Sequence, residues 1–146
     1  FTNPRAVTKL SDINTPGLLD IELPSVNGTG TARALATVYG DLATGGAKLG
    51  LTPKTIAELE RPQPPAPDLI FGIESAFRFG FMKPFPILPF GSSARAFGHT
   101  GSGGSFAYAD PDTGIGYAYT MNRNGYGLPT DPREIALRQA LTRAIT

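Results

Sequence analysis

The stretch best equipped for chemistry in these 146 residues is Gly98-His99-Thr100-Gly101-Ser102-Gly103-Gly104, which carries the chain's single histidine. Imidazole can change its charge near neutral pH, so it can donate or accept a proton at a reacting centre. The surrounding glycines remove Cβ atoms along one edge and let a bound molecule approach backbone N–H groups. A donor of that kind, aimed at a developing oxyanion, is worth about 3 kcal/mol of transition-state stabilisation. A lone histidine in a glycine-rich turn is also a common structural feature, so the stretch nominates a site without naming its reaction.

Other chemistries fit these residues poorly. A phosphate-binding loop needs a Gly-Lys-Ser/Thr ending that opens a helix, whereas these glycines lead into a strand pattern with no such lysine. One histidine, no cysteine and acids without ligand spacing make a metal site unexpected, and no cofactor is expected. A Ser-His-Asp triad can be drawn from Ser102 or Ser105, His99, and Asp110 or Asp112, but there is no Gly-x-Ser-x-Gly elbow. His99 also lies too near those serines along an extended chain to face them. Thirteen basic and twelve acidic residues are interspersed, which leaves no basic stripe for nucleic acid. The lack of cysteine is compatible with a reducing, cytoplasmic compartment without proving one. No apolar run approaches the roughly 20 residues that span a bilayer. Phe1 opens no signal-like basic and apolar segment, and the absence of an initiating Met points to a trimmed, processed or partial chain.

The elements that must position His99 follow from periodicity. Residues 1 to 30, interrupted by Pro4, Pro16, Pro24 and Asn27-Gly28, read as mostly loop. Leu35, Val38, Tyr39 and Leu42 recur at helical spacing, with Thr29 or Thr31 as cap and Gly45-Gly46 as stop. Thr52-Pro53 opens a shorter helix that carries Ile56 and Leu59. Arg61 to Pro67, with four prolines, reads as an extended connector, and Phe77 to Phe81 as a strand. Pro84, Pro86 and Pro89 break the next stretch into a loop whose Phe85, Ile87, Leu88 and Phe90 either plug a local core or line an apolar acyl pocket. Phe106, Tyr108, Ile115, Tyr117, Tyr119 and Met121 alternate with small residues across an Asp110-to-Gly114 turn. That is an antiparallel hairpin with one large and one small face. Asp131-Pro132-Arg133-Glu134 has the form of a capping box, and the helix it opens should bury Leu137, Ala140, Leu141, Ala144 and Ile145. The whole is an α+β arrangement within a single domain.

The order of these features resembles the C-terminal end of the β-lactamase-related serine hydrolases: family VIII esterases, class C β-lactamases and D-amino-acid peptidases of the penicillin-binding-protein fold. The resemblance runs through Gly98 to Gly104, Ser105 to Pro111, Gly114 to Asn122 and the final helix, and upstream through Pro24 to Gly28, Thr31 to Ala36 and Tyr39 to Gly46. It implies that residues 1–146 are the C-terminal portion of one β-lactamase-like domain of bacterial type. His99, Thr100 and Gly101 would be the family's third motif, on an edge strand facing the nucleophile. Ser102 would contribute its backbone N–H to the oxyanion hole, and Asn122 and Asn124 would fall near positions that face substrate. Histidine where β-lactamases carry lysine favours an esterase, because the permanent cation that would hold a lactam carboxylate is missing.

The family's nucleophile is the serine of Ser-x-x-Lys, activated by that lysine and by a tyrosine. Here Ser25 is followed at the lysine position by Gly28, Ser75 by Arg78, Ser92 by Arg95 and Ser105 by Tyr108, and no Ser-x-x-Lys or Tyr-x-Asn occurs. Both motifs are expected N-terminal to Phe1, on a segment that would be a partner of this one. The expected activity is ester hydrolysis through an acyl-enzyme on a small-molecule ester or amide. The alternatives are β-lactam or D-amino-acid amide hydrolysis, or a non-catalytic fragment that serves as a binding module.

Overall fold

The structure is a computed structural model that describes residue 12 and residues 15–23, 28–70, 72–125 and 131–145. The chain divides into two compact units, residues 1–30 and residues 31–146. In the first, a stretch expected as loop contains one helical turn, α1 (Pro16–Leu19), with proline at its start where the missing N–H costs nothing. The upstream motif from Pro24 to Asn27 lies outside the described residues, as does Pro4.

The second unit is built on an antiparallel sheet of five strands in the order β3-β4-β5-β6-β7. Its strands are β3 (Phe77–Arg78), β4 (Phe81–Met82), β5 (Phe97–Thr100), β6 (Phe106–Asp110) and β7 (Ile115–Tyr119). The β6–β7 hairpin has the expected register, Asp110 opposite Ile115 and Phe106 opposite Tyr119. Phe77 to Phe81 is not one strand. Phe79 and Gly80 both have positive φ, 48° and 83°, and reverse the chain so that Phe77 pairs with Met82. The connector Arg61 to Pro67 likewise ends in a strand, β1 (Ala66–Pro67), which pairs with β2 (Glu74–Ser75).

One sheet face is covered by α2 (Ala32–Ala43) and α3 (Pro53–Glu60). The Thr31 hydroxyl oxygen accepts from Ala34 N–H at 3.1 Å and the Thr52 oxygen from Thr55 N–H at 3.2 Å, so both helices start where the sequence places them. The stripe that α2 turns inward differs from the expected one. Val38 is exposed, and the contact with the sheet runs through Gly40 onto Gly116. The small hairpin face, Ala107, Ala109, Gly116 and Ala118, lets the helix backbone come so close that a β-branched residue could not stand between them. A Cβ added to Gly116 would lie 2.5 Å from Ala36 O and from Gly40 Cα.

The other face holds Met82, Phe85, Leu88, Phe90, Phe106 and Tyr108, covered by the 85–91 loop and by α4 (Pro132–Ile145). Here the expected apolar side of α4 is overturned. Leu137, Ala140, Ala144 and Ile145 are exposed and Leu141 is half-buried, while Glu134 and Arg138 point inward. Arg138 donates to Glu134 Oε1 from Nε at 2.9 Å and to Oε2 from Nη2 at 3.2 Å, and it reaches the Pro89 carbonyl. Its guanidinium sits over the Phe106 ring at 5.1 Å. Both charges are thus paired and hydrogen-bonded, the condition under which burial is tolerated. A Glu134 side chain committed to Arg138 does not close the capping box. Asp131 alone caps α4, accepting at Oδ1 from Arg133 N–H at 2.9 Å.

Three outcomes are expected in urea unfolding. Gly116→Ala destabilises by about 1–3 kcal/mol because the obstructing atoms are backbone. Gly40→Ala, whose Cβ would meet nothing closer than 3.9 Å, stabilises by about 0.5–1 kcal/mol as glycine leaves a helix interior. Arg138→Met, which strands the Glu134 carboxylate in the core, costs about 3–5 kcal/mol.

Candidate active site

The sheet presents its chemistry where β5 ends. Alternation sets Phe97 and His99 on the α2 side and Gly98 and Thr100 on the α4 side, with His99 opposite Ala107 and Thr100 opposite Phe106. β5 is an interior strand, not the expected edge strand. Its ladder to β4 consists of the pair Met82–Gly98, so past Gly98 its β4 side has no strand partner among the described residues. The effect of an edge is therefore recovered locally, at His99 and Thr100. His99 is exposed; its Nδ1 contacts the Thr100 carbonyl oxygen and its ring meets Phe77 at 5.8 Å between centroids. The Thr100 hydroxyl turns inward, to Met82 Sδ at 3.6 Å.

Beyond the strand, Gly101 N–H donates to Ser105 O at 2.7 Å and Gly104 N–H to Gly101 O at 3.2 Å, closing a tight turn. Gly103 and Gly104 are buried, with φ of 83° and 108°. The protein itself occupies the space their missing side chains leave: an added Cβ would lie 2.7 Å from Asn124 Cγ at Gly103 and 2.6 Å from Asp131 Cβ at Gly104. Gly98, against Ala107 O and Tyr108, and Gly101, against Ser105 Oγ, are filled in the same way, so all four glycines of the stretch serve packing and not access for a ligand. Ser102 at the tip is exposed, and its N–H has no acceptor among the described residues.

The segment after β7 is drawn onto this turn. Gly125 N–H donates to Gly103 O at 2.7 Å, and Arg133 Nη2 donates to Arg123 O at 3.0 Å. Arg133 also donates to Asp131, from Nε to Oδ1 at 2.9 Å and from Nη2 to Oδ2 at 2.7 Å. These hydrogen bonds hold the Asp131 carboxyl down at about 2. Asn124 therefore joins His99, Thr100, Gly101 and Ser102, whereas Asn122 is exposed with no side-chain hydrogen bond among the described residues. Phe85 belongs elsewhere: it is 7% exposed and packed into the core with Met82, Leu88 and Phe90, as a plug and not a pocket wall. Ile87, Leu88, Pro89 and Phe90 instead border a cavity of about 410 Å³ against α4, lined by Ile135, Arg138 and Thr142.

The triad drawn on paper falls apart in space. Asp110 lies at the far end of β6, where its carboxylate accepts from Ser92 N–H at 2.7 Å and Ser92 Oγ–H at 2.8 Å; Asp112 pairs with Arg95. What the sequence missed is Phe77, brought to His99 by the Phe79-Gly80 reversal. Glycine after an aromatic residue was its only sequence signal.

The sequence model of the Beta-lactamase family matches residues 2–142. The chain belongs to the beta-lactamase family. Among its relatives in that family, it is 38% identical over 110 residues to the Esterase/beta-lactamase LipL of Mycobacterium tuberculosis (strain ATCC 25618 / H37Rv), over 73% of this chain and 25% of that protein. A penicillin-binding protein homolog from Caulobacter crescentus superposes with a TM-score of 0.80 at 37% identity, over 95% of this chain and 39% of the other. A family VIII carboxylesterase gives 0.69 at 37% identity, over 78% and 31%. EstA from Arthrobacter nitroguajacolicus Rue61a gives 0.68 at 31%, over 92% and 38%. This is the α+β, penicillin-binding-protein-like fold of a serine hydrolase family whose relatives include esterases. The chain spans about a quarter of the length of the curated relative and between 31% and 39% of the solved ones.

Asp131 gives this beta-lactamase-family site an acid sensitivity. A carboxyl held below its unfolded value near 4 contributes stability that is complete above that value and is lost as pH falls toward about 2. Thermal unfolding followed from pH 5 to pH 2 should therefore show a smaller loss of stability in Asp131→Asn than in the parent, and an equal loss would contradict this.

Proposed function

We propose that residues 1–146 are the C-terminal portion of a single β-lactamase-like domain and form one wall of the active site of a carboxylesterase that works through an acyl-enzyme. The observation that carries this reading is the unoccupied, exposed Ser102 N–H at the end of His99-Thr100-Gly101, beside Asn124. A rigid backbone donor of that kind suits the oxyanion of an acyl-transfer intermediate. His99 is the hydrogen-bonding member of the site, Thr100 and Gly101 set its geometry, and the Ser102 hydroxyl takes no part.

The serine nucleophile, its lysine and its tyrosine lie on a further segment of the same protein. The absence of Ser-x-x-Lys from this chain and its modest share of each relative's length support that division. So does β7, an edge strand of the sheet with neither charge nor proline. Uncharged open edges are strongly inclined to take another strand. The substrate is a small neutral ester, since histidine in place of a lysine provides no permanent cation for a carboxylate.

The test compares the 146-residue chain with a protein extended to the length of its relatives, using a fluorophosphonate and a p-nitrophenyl ester with intact mass detection. The extended protein should be acylated at a serine outside these residues and turn over the ester, and the short chain should be inert. Acylation of the short chain defeats the reading, and turnover of nitrocefin or a D-amino-acid amide in preference to the ester replaces the esterase with the corresponding relative. In the extended protein Ser102→Ala should leave kcat within a few-fold of the parent, whereas Ser102→Pro, which deletes the N–H, lowers it by about 10²–10³.

A further inference from the structure

The His99 ring is held at two points, and together they decide which of its nitrogens is presented. Nδ1 is in hydrogen-bond contact with the Thr100 carbonyl oxygen. A carbonyl oxygen only accepts, so Nδ1 carries the hydrogen. In neutral imidazole the other nitrogen is then an acceptor, and Nε2 meets no partner among the described residues on a side chain that is exposed. The second hold is Phe77, whose ring lies 5.8 Å from the imidazole at an interplanar angle of 55°. The Phe79-Gly80 reversal brings Phe77 beside the end of β5: Phe77 is opposite Met82 and Met82 is opposite Gly98, so the ring that meets the imidazole comes from the strand face of Gly98 and not from that of His99. Phe79, the one non-glycine residue with positive φ among the described residues, is strained in order to make that reversal.

We propose that His99 is preset in the Nδ1–H tautomer, with the Thr100 carbonyl fixing the proton and Phe77 fixing the ring plane, so that Nε2 receives a hydrogen bond from a hydroxyl group. The hydroxyl belongs to the alcohol portion released from an ester or to the water that replaces it. This rests on the reading of the chain as an esterase wall and extends it in two ways. It names Phe77 as a positioning residue, and it assigns His99 a ligand that donates. A lysine at the same place can only donate and suits a carboxylate; neutral imidazole, set as it is here, suits an uncharged alcohol.

Because His99 is the only histidine in the chain, labelling with ¹⁵N-histidine gives two ring-nitrogen signals that need no further assignment by residue. In a long-range ¹H–¹⁵N correlation above the titration of the ring, Nδ1 should show the protonated type of shift and Nε2 the unprotonated type. The reverse assignment overturns the proposal. Phe77→Leu, with the backbone amide spectrum reporting that the fold is kept, should bring the two nitrogen shifts together as both tautomers become populated, and Phe77→Tyr should restore the parent pattern. Nitrogen shifts unchanged in Phe77→Leu remove Phe77 from the proposal. If Phe77→Leu fails to fold, Phe77→Tyr and the parent tautomer decide the matter. Turnover is a separate readout: an Nδ1–H tautomer in a protein that cleaves no ester at its full length overturns the esterase and the alcohol ligand and keeps only the tautomer and the role of Phe77, and an Nε2–H tautomer in an active esterase overturns the inference and keeps the esterase.

Discussion

Everything at the candidate site hangs on the approach of α2 to the small face of the β6–β7 hairpin. Gly40 and Gly116 allow two backbones to touch, and close-packed backbone is the least compressible contact in a protein interior. Once β7 is seated there, β6 is fixed by five register pairs and β5 by four more. His99 then falls on the α2 side of the sheet, and the turn that follows has one direction to go. A side chain at Gly116 would displace the hairpin as a body, and with it the strand end that carries the motif.

Buried polar groups carry the structure outward from that contact to the loops. Lys83, 1% exposed, donates from Nζ to Leu59 O and Arg95 O at 2.9 Å and to Glu60 O at 3.3 Å. It thereby satisfies the last carbonyls of α3 and ties them to the loop that enters β5. Burial pulls its ammonium down to about 8, against the attraction of Glu60. Asp110 does the same for the 91–96 loop through Ser92, and Arg138 for the 85–91 loop through Pro89 O. Each of these groups is fully partnered, so each holds a loop in one place instead of adding a cost to the core. The proline-rich connectors, which have few ladder hydrogen bonds of their own, are held by these side chains.

The glycine-rich turn divides its residues between two duties. Gly103 and Gly104 let Asn124 and Asp131 pack against the main chain, and this joins the segment after β7 to the cap of α4. The tip, Ser102, is exposed and its N–H has no acceptor among the described residues. One compact feature therefore couples the start of the last helix to the end of the motif strand, and a charge at Asp131 stabilises a turn whose own residues are neutral.

The sequence by itself determined the helix starts, the β6–β7 hairpin, the two-faced character of that hairpin, and the family through the ordered run from Gly98 to Asn122. These are local properties: a threonine or aspartate cap, a period of two, a turn after Asp110. It also showed that no serine here has a lysine three residues on. The tertiary structure decided what depends on neighbours distant in the chain. Leu137, Ala140, Ala144 and Ile145 form a legitimate helical stripe, yet Glu134 and Arg138 face the core because Pro89 and Phe106 give the guanidinium a place there. Phe85 could line a pocket or fill a core, and Met82 and Leu88 made it core. Phe77 looked like one residue of a strand, and a left-handed Phe79 turned it into the neighbour of His99. Side-chain type and spacing record what a residue can do; which surface it meets is set only when the chain has closed on itself.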